Sequence, residues 1–361
     1  MKPIVAFILM LLVSPIGVTG DRLGLPKQQI PVNNPQSPEK IVLGKMLFND
    51  TRFSADKTIS CASCHQSDKG FTDGLVVAKG IHQLEGTRNT PTLINAAFYT
   101  SLFLDGRRLS LETQVLDPLV NPIEHGLKNP RLILDIVRQD LTYRDRFNDA
   151  FGVDAAGITL SHVVNAIASY ERTLIAGNSP FDRYFFGGEK DALSKTENRG
   201  LNLFRRKGNC ANCHEISWNN ALFTDNRFYN IGIGYQHLKQ VLETYLDGLQ
   251  SNTSAGSIKS TALSNRQRSE LGRFNVTHAT LDIGKFKTPT LRNIAITGPY
   301  MHDGSLKTLE EVIEYYDLGG NKNPYLDPAI FPLYLSSQEK IDLVAFLKTL
   351  TSPQYQVKRD D

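Results

Sequence analysis

Apolar and polar positions along this chain recur mostly at helical spacing, and strict two-residue alternation is scarce. Ser37-Pro38 offers an N-cap and a first-turn proline ahead of Ile41, Val42, Met46 and Leu47, which predicts a helix starting there. Ser194 and Glu197 have capping-box spacing at the head of a second helix. Ser336 and Glu339 open a third, with Ile341, Val344, Leu347 and Leu350 on one stripe. Between these run loops punctuated by Gly and Pro, such as Asn121-Pro122 and Gly298-Pro299, a pattern suited to wrapping a large group. The expected class is mainly α.

The longest apolar run, Ile4 to Val13, follows Lys2 and is followed by small residues ending at Gly20. It is half the roughly 20 residues that a bilayer span needs. Residues 1–20 therefore read as a secretory signal peptide, the mature chain being exported, to the periplasm in a Gram-negative cell, with no membrane span after cleavage. The 361 residues are 40% hydrophobic and 21% charged, ordinary for soluble globular domains. Forty basic residues against 37 acidic ones, for a net charge of +3, point to no nucleic-acid partner.

Cysteine changes the picture. The chain has four, in two Cys-x-x-Cys-His sequences: Cys61, Cys64 and His65, then Cys210, Cys213 and His214. Each belongs to a longer duplication. Leu43-Gly44 through Phe48 precedes the first and Arg199-Gly200 through Phe204 the second; Thr90-Pro91-Thr92-Leu93-Ile94-Asn95 is echoed by Thr288-Pro289-Thr290-Leu291-Arg292-Asn293, and Asp105-Gly106 by Asp303-Gly304. The interval from Cys210 to Pro289 is much longer than that from Cys61 to Pro91, so the second unit carries an insertion, with the polar stretch 250–268 expected as a surface loop. Cys-x-x-Cys-His is the attachment site of c-type haem, two thiols adding to the vinyl groups and the histidine reaching the iron. A zinc half-site or a redox pair is the alternative. Two separate modules fit two covalently bound haem c groups better, giving two cytochrome c-like haem domains related by internal duplication, 21–180 and 181–361.

The run from Asn89-Thr90-Pro91-Thr92 through Leu104-Asp105-Gly106-Arg107, with Gln114 and Asn121-Pro122-Ile123-Glu124 beyond it, resembles the bacterial di-haem cytochrome c peroxidase and MauG superfamily. The resemblance continues through Phe223-Thr224-Asp225-Asn226 and Pro299-Tyr300-Met301-His302-Asp303-Gly304. It implies a peroxidatic N-terminal haem, with Glu124 as the acid and base over the open iron face and Gln114 orienting peroxide. A partly desolvated carboxyl suits that proton transfer. Thioether chemistry alone favours Met301 as the sixth ligand of the C-terminal haem. The family register instead falls on Tyr316, as in the MauG branch, with Tyr315 beside it. The resemblance also implies a calcium ion at Asn89, Thr297 and Pro299, chemically suitable oxygen donors. His82 falls one residue from the place of a displaceable ligand of the first haem, so it reads first as a loop histidine, with ligation as the alternative.

The chain departs from the family at Leu104, where many members have tryptophan between the haems, and at His125, where methionine is usual. Its single tryptophan, Trp218, lies four residues after His214, a place where packing beside a haem is the first reading and a relay the second. The resemblance implies an exported enzyme that reduces H2O2 and oxidises a protein partner. The rival within the class is a cytochrome c peroxidase fed by reduced cytochrome c or a cupredoxin; a non-catalytic di-haem electron carrier is the third reading.

Overall fold

The computed structural model describes residues 22–250 and 263–356, with side chains described to residue 246 in the first stretch. The expected signal peptide, 1–20, lies outside the described residues, as does most of the expected insertion loop.

Ser37 caps the helix Pro38–Asn49, its hydroxyl accepting from the Lys40 amide at 3.2 Å. This helix lies against Leu160–Glu171, and a Cβ on Gly44 would overlap the Ala166 carbonyl. Lys195–Arg205 opens on the Ser194–Glu197 capping box. It lies against Ser337–Lys348, where a Cβ on Gly200 would overlap the Asp342 carbonyl. Each half thus brings two helices to backbone contact at a glycine, a separation that no other residue permits.

Two main cores follow. One runs from Leu43 to Ala176, the other from Phe181 to Leu350. Short loops close each in matching ways. Asn95, left-handed at φ 64°, donates its amide to Leu174 O at 2.8 Å, and its side chain holds Ala176. Asn293, at φ 60°, donates to Leu350 O at 3.0 Å and accepts from the Ser352 amide. The Thr92 hydroxyl donates to Gly70 O and the Thr290 hydroxyl to Leu222 O, both at 2.6 Å. Asparagine tolerates the left-handed region better than most residues, which accounts for its use at both turns. The only regular strands among the described residues are Phe228–Tyr229 and Phe286–Lys287, antiparallel. The fully buried Arg292 forks onto Asp182 at 2.8 Å and donates to Gly24 O and Ala221 O, fastening the N-terminal segment to the second core.

Two expectations are corrected. Ile341 is 58% exposed, and Leu350 lies past the helix end while remaining buried. The buried face is Asp342, Leu343, Val344, Phe346 and Leu347, because Asp342 turns inward to take Arg199 in a two-pronged ion pair at 2.7 and 2.8 Å. The polar insertion is also more than a surface loop. Ser264 caps the helix Asn265–Glu270, and Leu263, Leu271 and Phe274 form a small core with Leu238, Leu242 and Ile283. Leu263 within the polar stretch and Leu271 and Phe274 just beyond it supply the buried apolar surface.

Candidate haem sites and the cavity between them

At the first Cys-x-x-Cys-His the chain makes one short helix, Cys61–Cys64, and the His65 amide donates to Cys61 O at 2.9 Å. At the second, a 3-10 turn, Cys210–Asn212, serves the same purpose, and the His214 amide donates to Cys210 O at 2.9 Å. The coiling brings each histidine back over its cysteines. None of the four cysteines is paired in a disulfide. His65 Nδ1 lies 3.0 Å from Phe71 O and His214 Nδ1 2.9 Å from Phe223 O. Against a carbonyl that nitrogen must be the donor, so Nε2 keeps its lone pair. Burial holds both imidazoles below their ordinary pKa, favouring the neutral, ligating form. Phe71 and Phe223 sit at φ 59° and 54°, a region that costs a bulky residue energy; in both loops that conformation accompanies a carbonyl turned to the ring.

A cavity of about 630 Å3 lies between the halves, lined by Cys64 and His65 from one and by Cys210, Cys213 and His214 from the other. Among the described residues no three His, Cys, Asp or Glu side chains gather into a metal site. The two cysteine pairs therefore do not converge on one ion, as a shared zinc would require.

Glu124 lines this cavity, half-buried, with Asn121 Nδ2 donating to its Oε1 at 2.6 Å. Burial raises its pKa above the usual carboxylate range, opposed by the nearby Arg107 charge and the Asn121 hydrogen bond. Gln114, at the end of Leu111–Gln114, also lines the cavity; its backbone N–H donates to Ser110 O at 3.0 Å, and its side-chain carboxamide has no hydrogen bond within the described residues. Tyr316 and Met301 face it from the other half. The two adjacent tyrosines diverge: the Tyr315 hydroxyl donates to Ile231 O at 2.7 Å and accepts from the Asn321 amide, whereas Tyr316 turns to the cavity. Burial raises the Tyr316 hydroxyl far above its ordinary pKa, with Cys210 and Cys213 close enough to add to the shift.

The family profile described as di-haem cytochrome c peroxidase matches residues 38–191. The chain is 36% identical over 335 residues to the cytochrome-c peroxidase IdrP1 of Pseudomonas sp. (strain SCT), covering 91% of this chain and 84% of that one. It is 37% identical over 320 residues to the methylamine utilization protein MauG of Methylorubrum extorquens, covering 89% and 80%. The chain belongs to the di-haem cytochrome c peroxidase and MauG family. Among solved structures, a MauG-like protein associated with microbial copper homeostasis superposes with a TM-score of 0.76 at 32% identity, over 93% of this chain and 96% of that one.

As a member of a di-haem peroxidase family, this enzyme has in its chain the donors that two c-type haems need: two thiol pairs, each beside a histidine whose Nε2 lone pair is left unprotonated, around one large cavity. The remaining sequence candidates sort themselves by position. His82 is outside the cavity lining, its side chain 67% exposed and its Nδ1 3.4 Å from Asp56. His125 is buried but turned away, its Nδ1 on Phe53 O at 2.9 Å; it anchors the loop that carries Glu124. Leu104 lines the cavity, while Trp218 is 87% exposed on the surface and outside that lining, which suits neither packing beside a haem nor a relay between the two. Asn89, Thr297 and Pro299 all line the cavity. Asn89 donates from Nδ2 to Leu75 O at 2.7 Å and from its amide to His302 O at 2.9 Å, and its Oδ1 has no protein partner among the described residues.

Sequence reasoning missed the Phe71 and Phe223 carbonyls, although both lie in a repeated Phe-Thr-Asp that could have drawn attention. It also missed Lys287, His302 and Glu270. His302 Nε2 lies 2.6 Å from Glu270 Oε2 and its ring stacks on Phe286 at 3.7 Å; the insertion contributes that carboxyl, and nothing local in the sequence joins the two.

Proposed function

We propose that this chain is an exported H2O2-dependent di-haem enzyme of the MauG type, built from two cytochrome c-like haem domains related by internal duplication, about 21–180 and 181–361. The paired cores, the matching Asn95 and Asn293 turns and the matching histidine–carbonyl bonds support the duplication. The observation that carries the MauG-type reading is Tyr316, a cavity-facing phenol within electrostatic reach of both C-terminal thiols. In this reading His65 and His214 are the proximal ligands and Tyr316 is the sixth ligand of the C-terminal haem. A phenolate is a hard anionic donor that lowers the potential and favours oxidised iron.

The bound haems supply the iron at which peroxide is reduced and the store for the two oxidising equivalents released. Glu124 takes the proton from the near oxygen of H2O2 and returns it to the departing one. Asn121 holds that carboxylate in place, and Gln114 orients the peroxide by hydrogen bonding. H2O2, two electrons and two protons give two waters; the electrons come from an exported redox protein, oxidised as a protein substrate. Mixing ferric protein with H2O2 in the absence of any reductant tests this reading. A second reading, peroxide detoxification with reduced cytochrome c or a cupredoxin as donor, is favoured by the near-equal identity to IdrP1 and by Leu104, which offers no redox-active side chain in the cavity. Among the described residues no helix is long and apolar enough to cross a membrane; the apolar run in residues 1–20 supports export to the periplasm.

One Ca2+ bound by Asn89, Thr297 and Pro299 completes the reading. The Nδ2 bond to Leu75 leaves Asn89 Oδ1 available, and the three residues come from both halves. Purified protein is expected to hold about one calcium per chain, and its removal by a chelator to lower Tm. At calcium near 100-fold its Kd, binding stabilises by about 2.7 kcal/mol, a shift of roughly 4 °C for a chain of this length. Calcium-free protein with an unchanged Tm after chelation contradicts the site.

A further inference from the structure

Lys287 is buried, 4% exposed, and its ammonium has no carboxylate partner among the described residues. It lines the cavity between the halves. The other basic side chains along that lining are satisfied: Arg107 and Arg88 reach Asp105 at 2.9 and 3.5 Å, and Lys79 reaches Glu85 at 3.5 Å. The nearby Asp225 is engaged by the Tyr229 hydroxyl at 2.6 Å and the Arg227 amide at 2.9 Å. The chain offsets the buried charge only through Asp225, acting beyond ion-pair distance, and through the face of Tyr99, whose ring centroid lies 3.6 Å from Nζ. A cation–π contact offsets only part of the cost of desolvating an ammonium.

The duplication adds a second, independent observation. By the Thr-Pro-Thr register Lys287 is the counterpart of Asn89, and Tyr99 is the counterpart of Thr297. The backbone keeps the correspondence: Asn89 donates its amide to His302 O at 2.9 Å, and Lys287 donates to Leu104 O at 2.7 Å. The receiving loops are alike, with bridges Leu102–Arg108 and Tyr300–Leu306 and left-handed residues at Phe103 and Met301. Two crossed contacts therefore join the halves. One presents oxygen atoms suited to a bound cation; the other presents a cation of the protein's own.

We propose that Lys287 is a fixed positive charge of the inter-haem cavity, the counter-ion of a haem propionate, and thereby a positioning and potential-setting residue. This rests on the reading of two haems given above. Burial pushes the Lys287 pKa down to about 8 even with the Asp225 charge opposing it; a carboxylate directly beside the ammonium restores the charged form. A positive charge at that position stabilises ferrous over ferric iron, and its loss favours the ferric state.

The test is spectroelectrochemical titration of both haems in wild type, Lys287→Met, Lys287→Gln and Lys287→Arg, after haem content has been measured. In the Met and Gln variants the ferric/ferrous equilibrium of at least one haem is expected to move about tenfold toward ferric, which is 59 mV for one electron. Lys287→Arg is expected to stay close to wild type. A packing role would not distinguish the variants in this way. Two haems per chain with unchanged potentials in Met and Gln would overturn the assignment of Lys287 alone; wild type with fewer than two haems would bring down the di-haem reading together with it. If the Met variant does not mature, the Gln and Arg pair decides.

Discussion

Glu124→Gln is expected to slow H2O2 turnover by roughly two to four orders of magnitude, the usual contribution of a positioned general acid and base. Glutamine preserves the shape of the side chain and an oxygen that can accept from Asn121 Nδ2, so the loop and the haem spectrum should change little. What it cannot do is take up a proton. Because burial raises the Glu124 pKa, the wild-type rate should fall on the acid side at a pH above the ordinary carboxylate range, as the proton acceptor is lost. That limb should be absent in the variant. Peroxide turnover at wild-type level in Glu124→Gln would remove the residue from the chemistry, whatever its place in the cavity.

Tyr316→Phe is expected to convert the C-terminal haem from a low-spin to a high-spin spectrum and to raise its potential. Loss of an anionic oxygen donor removes a ligand that stabilises ferric iron, and a shift of at least tenfold in the ferric/ferrous equilibrium, 59 mV for one electron, is the expected scale. Met301→Leu should leave both readouts in place. Both side chains face the cavity, so the comparison decides between them directly. A change in the Met301 variant with none in Tyr316→Phe would reverse the ligand assignment and favour a conventional electron-transfer haem.

The parts of the site that could be read in the sequence are those whose chemistry is local. Cys-x-x-Cys-His determines which three side chains meet, because the intervening turn is short enough to coil in only a few ways. The caps at Ser37, Ser194 and Ser336 depend on three-residue spacings and appear as expected. Long-range contacts were harder to read. Tyr315 and Tyr316 are neighbours about 100° apart on a helix, and nothing local tells which turns inward; the Ile231 carbonyl, far away in sequence, captures the first. His82 in its glycine-flanked loop could be read as a loop histidine or as a ligand, and only the contact with Asp56, far away in sequence, places it at the surface. Ile341 fits the apolar stripe by spacing, yet its neighbour Asp342 takes the inward place, paired with Arg199 from another helix. The Lys287 environment combines Tyr99 and Leu104 with the far half of a duplication, so it emerges only when the two halves are compared contact by contact.

Rapid mixing of the fully ferric protein with one equivalent of H2O2, with no reductant present, tests the central claim most directly. The account predicts that the absorption of both haems changes in the first kinetic phase, on the millisecond scale, and that this phase disappears in Glu124→Gln. A spectrum that stays ferric and silent until one haem has been reduced would contradict it, and would make the protein a donor-gated cytochrome c peroxidase instead.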